Sequence, residues 1–429
     1  MKKLFIIFFT AVLLLPVYAQ EAELNITIEN AFDENSETLV YGDRYEDEDT
    51  DFGQPEKTGG GFARQRFEIG FVGLDAGFSN DLLAFSEFFQ KDILIDLNKI
   101  KNDVRDDGLN LFLGVFVRVL SIDIKNINIA GGIWDFGFFS GADGNIHFNL
   151  PKSLFTLISE GNIKQRSFSG TISASGGVFA NAGLSGYAKF GNLRVGVKPA
   201  LYTPLAFIPK SGINYYFNSN EKLSVTTDGE IVVYTPFIDN GELKFGFDMS
   251  LEGEYNLFSF LDVGAGLSHI PLAAAQLNKG MQLKAKFEFA PDALLSDDIE
   301  IPDLEFDSNE NYSKSVKVRR PFGFDVYARY KPFSTEFLVL KPNIGFTVDT
   351  NNSEGFFNVG LDAQLNLKDI FIVNLGTGYK EAIWKQRLAL ALNLRAFELD
   401  LEGSLQSHDF IGSFSGQGFG LGIGLRFGW

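Results

Sequence analysis

The sequence predicts an all-β protein whose strands close into a transmembrane antiparallel β-barrel of about 16 strands, within a range of roughly 14–18. Three observations predict this fold class. The 429 residues include 45 Phe and 45 Gly but no Cys, a composition that favours strands and turns. Large apolar residues alternate with small or polar residues in many segments, as strands with two different faces require. Beyond the N-terminus, no stretch is long and apolar enough for a spanning helix, which leaves the closed barrel as the way to cross a membrane.

The C-terminus has the most regular alternation in the chain. One face of the predicted strand is large and apolar, with Phe419, Leu421, Ile423, Leu425, Phe427 and Trp429. The other face is glycine apart from Arg426. A lipid-facing strand with an aromatic residue at the membrane boundary has this pattern.

This final strand resembles the last strand of bacterial outer-membrane β-barrels, which alternates and ends in an aromatic residue. The resemblance is carried by residues 424–429, Gly-Leu-Arg-Phe-Gly-Trp. It implies an outer-membrane protein in contact with outer-membrane lipid. It also implies that Phe427 and Trp429 form the signal that the barrel-assembly machinery recognises.

Other segments alternate in the same way and give the candidate lumen residues. Leucines at 388, 390, 392 and 394 share one face, and Leu399 and Leu401 share the face of the next strand after a tight turn at 395–396. A second tight turn is predicted at 368–369. Charged residues opposite such apolar faces cannot lie in lipid and are expected to line the lumen. The predicted lumen residues are Lys244, Asp248, Glu252, Lys284, Lys286, Asp325, Arg329, Asp362, Arg387, Glu398, Asp400, Glu402 and Arg426.

The N-terminus predicts export through the periplasm. Lys2 and Lys3 precede a short apolar stretch, and small residues at 17 and 19 favour cleavage after Ala19, as in a signal peptide. We therefore divide the chain into a signal peptide at 1–19, an acidic periplasmic tail or plug at 20–63 and the barrel at 64–429. Because acidic runs are usually solvated, the tail is favoured over the plug.

Several segments do not fit plain strands. Residues 82–104 have apolar side chains at helical spacing, which predicts an amphipathic helix either on the barrel rim or inside the lumen. Three prolines at 199, 204 and 209 predict a strand that bends or ends near the rim; an apolar entry site is the alternative. Long external connections are expected at 141–169, 208–223, 291–320 and 407–416, and short turns on the periplasmic side.

For function, the sequence favours a porin-like channel for small solutes, because a barrel of this size leaves a water-filled lumen. The alternatives are a plugged transporter of hydrophobic molecules, which would resemble the fatty-acid-transporting barrels, and a surface structural or adhesive barrel. Three His and no Cys give no catalytic or metal-ligand pattern, so we expect no enzyme, cofactor or metal site. The net charge of −18 argues against nucleic-acid partners. A homo-oligomer is compatible with the sequence, but no residue demands one.

Overall fold

A computed structural model describes residues 66–80, 104–106, 108–160, 167–218, 224–238, 244–289, 305–380, 382–394 and 396–429. The predicted signal peptide, the acidic tail and nearly all of the predicted helix at 82–104 lie outside these residues. No helix in the described part of the chain is long and apolar enough to cross a membrane.

The described residues form strands and two short helices. The strands are β1 (Phe67–Asn80), β2 (Leu109–Ile129), β3 (Gly132–Leu150), β4 (Ser167–Phe190), β5 (Leu193–Asn218), β6 (Ser224–Tyr234), β7 (Gly246–Phe258), β8 (Leu261–Ala273), β9 (Ala275–Leu277), β10 (Gly280–Phe289), β11 (Glu305–Tyr312), β12 (Val316–Val318), β13 (Phe322–Tyr330), β14 (Leu338–Asp349), β15 (Glu354–Leu367), β16 (Phe371–Lys380), β17 (Ile383–Leu394), β18 (Phe397–Ser407) and β19 (Gly418–Gly428). The helices are α1 (Lys152–Glu160) and α2 (Phe410–Ser415).

Fourteen of these strands form one closed antiparallel ring. Around the ring the order is β1 to β5, then β7, β8 and β13 to β19. The first and last strands pair from Glu68–Gly428 to Ser79–Gly418 and close it. The predicted transmembrane β-barrel is therefore confirmed, with a strand number at the lower limit of the expected range.

The even strand number brings both ends of the ring to one rim. We call this rim the terminal end, because it carries Phe67 and Trp429, and the opposite rim the loop end. Connections at the terminal end are short, as predicted. Leu394 pairs with Phe397 across the predicted turn at 395–396. The turn after β15 is one residue longer than predicted, because Leu367 pairs with Phe371.

The two faces of the strands have different chemistry, as the alternation predicted. On β19, Leu421 and Ile423 are 65% and 46% exposed on the outside, whereas inward Arg426 is only 7% exposed. The same division holds on β18, where Leu401 is exposed and Glu402 is buried. A wall that is apolar outside and polar inside suits lipid on one side and water on the other.

Along one edge of β5, the paired strand changes from β7 to β6 in the middle of the proline-containing run. Its pairing with β7 ends at Tyr202–Gly246, and its pairing with β6 begins at Phe207–Tyr234. Pro204 lies between these points, where the missing N–H removes no ladder bond on that edge. Of the two expectations for this run, a strand that bends or one that ends, the ending is wrong, because β5 continues to Asn218.

The strands β6, β10 and β11 form a side sheet that leaves the ring at the loop end. Strand β6 pairs with β5 and β10, and β10 pairs with β11. A separate pair, β9 with β12, packs beside it. Eight buried side chains from β4, β5, β6, β9 and β12 form one apolar cluster here, and Phe179, Tyr202, Leu277 and Val318 are among them.

The long external connections are shorter than the sequence suggested. Residues to Leu150 belong to β3, and residues to Asn218 belong to β5. Part of the expected connection at 291–320 forms β11 and β12, and part of that at 407–416 forms α2. Alternation is weak in these parts, and their strand structure depends on pairing with distant segments.

Candidate functional site: the barrel lumen

The ring encloses a cavity of about 410 Å³ that is lined by residues from nearly every strand. Glycines at inward positions of β1, β2, β8, β14, β15 and β16 line it beside long charged side chains. At Gly376, an added Cβ would lie 2.2 Å from Asp362 Oδ1 and 3.2 Å from Arg387 Nε. These glycines therefore provide the space in which the charged side chains lie along the wall.

One wall of the cavity has a chain of alternating charges, which we call the charged strip: Asp362, Arg387, Glu402, Lys385 and Asp75. All of them line the cavity except Glu402, which is buried behind the two cations. The Arg387 guanidinium lies 2.5 Å from Asp362 Oδ1 and 3.9 Å from Glu402 Oε2. The Lys385 ammonium lies 3.1 Å from Glu402 Oε1 and 3.6 Å from Asp75 Oδ2. Three carboxylates and two cations leave the strip with one formal negative charge.

The wall beside the charged strip is aromatic at the level of the cavity, and Phe116 on β2 pairs with Asp75 on β1. We call Phe112, Phe116, Phe179 and Phe207 the aromatic strip; they lie on β2, β4 and β5 and line the cavity. The Arg118 guanidinium carbon lies 5.9 Å from the centroid of the Phe116 ring, a distance at which a cation is attracted to a ring face. Phe179 and Phe207 are only 4% and 2% exposed, so the apolar surface that the lumen offers beside the charged one comes mainly from Phe112 and Phe116.

Arg320 connects distant parts of the wall at the loop end. It precedes β13 and is 4% exposed. Its guanidinium lies 3.1 Å from Asp143 Oδ1 on β3 and 3.7 Å from Asp248 Oδ2 on β7. Because β3 and β13 are five strands apart around the ring, this side chain joins strands that are not neighbours in the sheet.

A second ionic cluster lies at the terminal end of β8 and β13. The Arg329 guanidinium is 3.2 Å from both Asp262 Oδ2 and Glu336 Oε2. The Lys331 ammonium is 3.1 Å from Asp262 Oδ2 and also pairs with Glu336. Burial by itself lowers the pKa of Lys331, but its hydrogen bond and charge interaction with Glu336 raise that pKa above the ordinary lysine value.

Most of the predicted lumen residues lie on the inward face of the ring. Asp362, Arg387 and Glu402 belong to the charged strip, and Asp248 and Arg329 belong to the ionic contacts just described. Glu252 lies 3.4 Å from Lys198, and Glu398 lies 3.7 Å from Arg426. Asp325 lines the cavity, and Asp400 is buried between Glu398 and Glu402 on β18.

Three predicted lumen residues lie elsewhere. Lys284 and Lys286 are on β10, which pairs with β6 and β11 in the side sheet and not with a ring strand. Lys244 is exposed ahead of β7 and forms an isolated bridge with Gln276. The alternation of β10 is like that of a spanning strand, and periodicity gives the face of a residue but not its sheet.

Several important lumen residues were missed. Lys385 and Asp75 complete the charged strip, and Asp143 and Arg320 form the contact across the loop end. Lys385 could have been found, because it shares the strand face of Arg387. Arg320 could not, because it lies outside any alternating segment and its partners are more than 70 residues away in sequence.

The fold and the lumen together define the class of this protein: it is a closed antiparallel β-barrel whose wall is apolar outside and polar inside, the architecture of a membrane-spanning barrel. No protein-family model and no curated protein matches the chain. Among solved structures, the chain is similar to the Pseudomonas putida toluene transporter TodX, with 8% identity, 84% of this chain and 88% of that chain covered, and a TM-score of 0.44.

Two other similar structures are a Pseudomonas aeruginosa FadL homologue and a Rhodopseudomonas blastica porin mutant. The first has 9% identity, a TM-score of 0.39, and coverage of 84% of this chain and 89% of that chain. The second has 8% identity, a TM-score of 0.27, and coverage of 85% and 100%. Scores this low carry no argument about function, so the class rests on the closed ring and its two-faced wall.

Proposed function

We propose that this barrel is a porin-like channel that passes small solutes through its lumen and selects them by charge. The charged strip is the observation that carries this proposal. It places two carboxylates and two cations on one wall of a cavity about 410 Å³ in volume, with the Glu402 carboxylate buried between the two cations. Rings and rows of charged side chains are a general means of ion selection in pores. The excess of one carboxylate favours cations over anions.

We also propose which membrane surrounds the barrel and how the barrel is assembled there. The apolar outer face contacts outer-membrane lipid, and Phe427 and Trp429 form the signal read by the assembly machinery after export through the periplasm. The cargo is a small solute, and the lumen serves passage and not catalysis. These assignments rest on the barrel class, on the exposed apolar outer face and on the position of Trp429 at the terminal end.

The deciding experiment is conductance of the refolded full chain in a planar lipid bilayer. A stable open current in the full chain supports the channel. The matched protein lacks residues 20–61, so that the effect of the acidic segment is measured separately. Silence in both proteins contradicts the channel, whereas current only in the shortened protein supports the plugged alternative.

The second candidate is a transporter of hydrophobic molecules, which the aromatic strip favours. Aromatic and aliphatic side chains line most sites for apolar ligands. Binding of a fluorescent hydrophobic probe, compared between the natural chain and the variant Phe116→Ser, tests this candidate. A loss of probe binding with unchanged ion conductance supports transport along the aromatic strip. Equal probe binding in both proteins contradicts it.

A further inference from the structure

Helix α2 connects β18 to β19 at the loop end and is held in a fixed position. Its N-cap residue Asp409 accepts a hydrogen bond from Gly412 N at 2.7 Å, and its C-cap Gly416 is left-handed with φ of 74°. A helix of six residues is too short to be stable alone. Its order therefore depends on the barrel wall against which it lies.

The inner side of α2 covers polar groups on the outer face of the barrel. Gln386 on β17 and Ser407 on β18 occupy the same strand faces as the outward leucines Leu388 and Leu405. Gln386 Nε2 donates to Ser413 Oγ at 2.9 Å, and both Ser413 and Ser407 are fully buried. Without α2, these side chains would point toward hydrocarbon, where unpaired polar groups are costly.

The other side of α2 is apolar and uncovered. Ile411 is 81% exposed, Phe414 is 58% exposed and Phe410 is 46% exposed. Three adjacent large apolar side chains on so short a helix form a compact surface that water solvates poorly. The helix thus replaces two polar positions on the outer wall by an apolar surface.

This surface is continuous with aromatic residues at the loop-end edge of the outer wall. The Phe410 ring lies 4.9 Å from the Trp384 ring, and Trp384 lies 5.1 Å from Tyr379. Both are on the face of the strand that carries the exposed leucines. Trp and Tyr in such places lie at the boundary between lipid and water.

We propose that α2 is a membrane-interface anchor whose Ile411 and Phe414 side chains insert into the lipid leaflet at the loop end. The occupant of this surface is lipid, because the apolar surface continues the lipid-facing wall through Trp384 and Phe410. A second copy of the chain fits less well, since a stable protein interface buries about 800 Å² on each partner, far more than three side chains of one helical turn supply. The inference does not depend on what passes through the lumen.

The absence of Cys from the natural chain permits a direct test with single thiols. The variant Ile411→Cys carries an environment-sensitive fluorophore in the full-length protein, reconstituted in phosphatidylcholine vesicles. Nitroxide-labelled phosphatidylcholine in the same vesicles quenches any fluorophore that contacts lipid. Leu390→Cys, on the outer wall, is the control in lipid, and Lys314→Cys, in an exposed turn, is the control in water.

We expect the label at 411 to be quenched more strongly by nitroxides near the lipid headgroups than by nitroxides near the ends of the acyl chains. The label at 390 should show the reverse order. The variant Phe414→Cys repeats the measurement from the same surface. Quenching at 411 and 414 no greater than at 314 would overturn the proposal. Disulfide cross-links between Ile411→Cys copies without lipid quenching would overturn it in favour of a second copy.

Discussion

Phe67 and Trp429 join the two ends of the barrel wall through both backbone and side chain. Phe67 N donates to Trp429 O at 3.2 Å, and Trp429 N donates to Phe67 O at 3.0 Å. Their ring centroids are 4.8 Å apart. The last residue of the chain is therefore part of the seam that closes the ring.

The first prediction concerns this seam. Trp429→Ala removes the ring contact but keeps the two backbone hydrogen bonds, so the free energy of unfolding should fall by about 1 kcal/mol, the usual scale for an aromatic pair. Urea unfolding of the refolded protein, followed by the gel shift of the folded barrel, measures it. The conservative control Trp429→Phe should retain most of the stability. A Trp429→Ala protein as stable as the natural chain would show that the backbone alone holds the seam.

The second prediction concerns ion selection by the charged strip. Arg387→Gln removes the cation between Asp362 and Glu402, so the formal charge of the strip changes from one negative charge to two. The reversal potential in a potassium chloride gradient should shift toward stronger cation selectivity. Asp362→Asn removes a negative charge from the same contact and should shift the potential the opposite way. Shifts of the same sign in both variants would contradict electrostatic selection at this wall.

The third prediction concerns Tyr202, whose hydroxyl group lies 3.1 Å from both Ala273 O and Val318 O. Tyr202→Phe keeps the ring in the apolar cluster but removes the hydroxyl, which should cost about 1 kcal/mol. Hydrogen exchange should increase at the end of β8 and in β12, because the hydroxyl contacts a backbone carbonyl of each. Tyr216→Phe, at an exposed position on the same strand, is the control. Unchanged exchange at the end of β8 and in β12 would refute this role of Tyr202.

The fourth prediction concerns pH and the cluster of Lys331 with Glu336. A pKa that is higher in the folded chain than the ordinary value of 10.5 means that folding favours the charged ammonium. This stabilisation is complete below the ordinary value and is lost as the pH rises through the folded value. Lys331→Gln should therefore destabilise the barrel at about pH 8 and have a smaller effect at about pH 12.

Urea unfolding of the natural and variant proteins at the two pH values measures this difference. Lys314→Gln, at an exposed position in the turn between β11 and β12, is the control and should have little effect at either pH. An effect of Lys331→Gln that is equal at both pH values would assign the residue a packing role only.

The sequence predicted the wall of the C-terminal half better than that of the N-terminal half, for a physical reason. From β13 onward, the strands are short, and one face of each strand lies toward lipid while the other lies toward the lumen. Lipid-facing and lumen-facing residues therefore alternate regularly along them. Glu398, Glu402 and Arg426 could be assigned inward from that alternation alone. In β5, residues 202–208 have protein on both faces, and the alternation disappears there.

Contacts that join distant segments could not be predicted in the same way. The pairing of Arg320 with Asp143 depends on how the ring brings β3 and β13 together. The side sheet depends on the exchange of β5 from β7 to β6. A single sequence contains the strand pattern but not the choice of partner.

Because the strands differ in length, part of the barrel lies in lipid and part projects into water. Strands β2 to β5 have 21, 19, 24 and 26 residues, whereas about 9–11 residues cross the hydrocarbon. The loop-end halves of β3, β4 and β5 contribute to two buried apolar clusters, around Tyr202 and around Ile146, and must therefore be stabilised as a water-soluble domain is. Denaturant should unfold this projecting part at a lower concentration than the part of the barrel within the bilayer. We therefore expect the cooperative unit of unfolding to be smaller than the barrel itself.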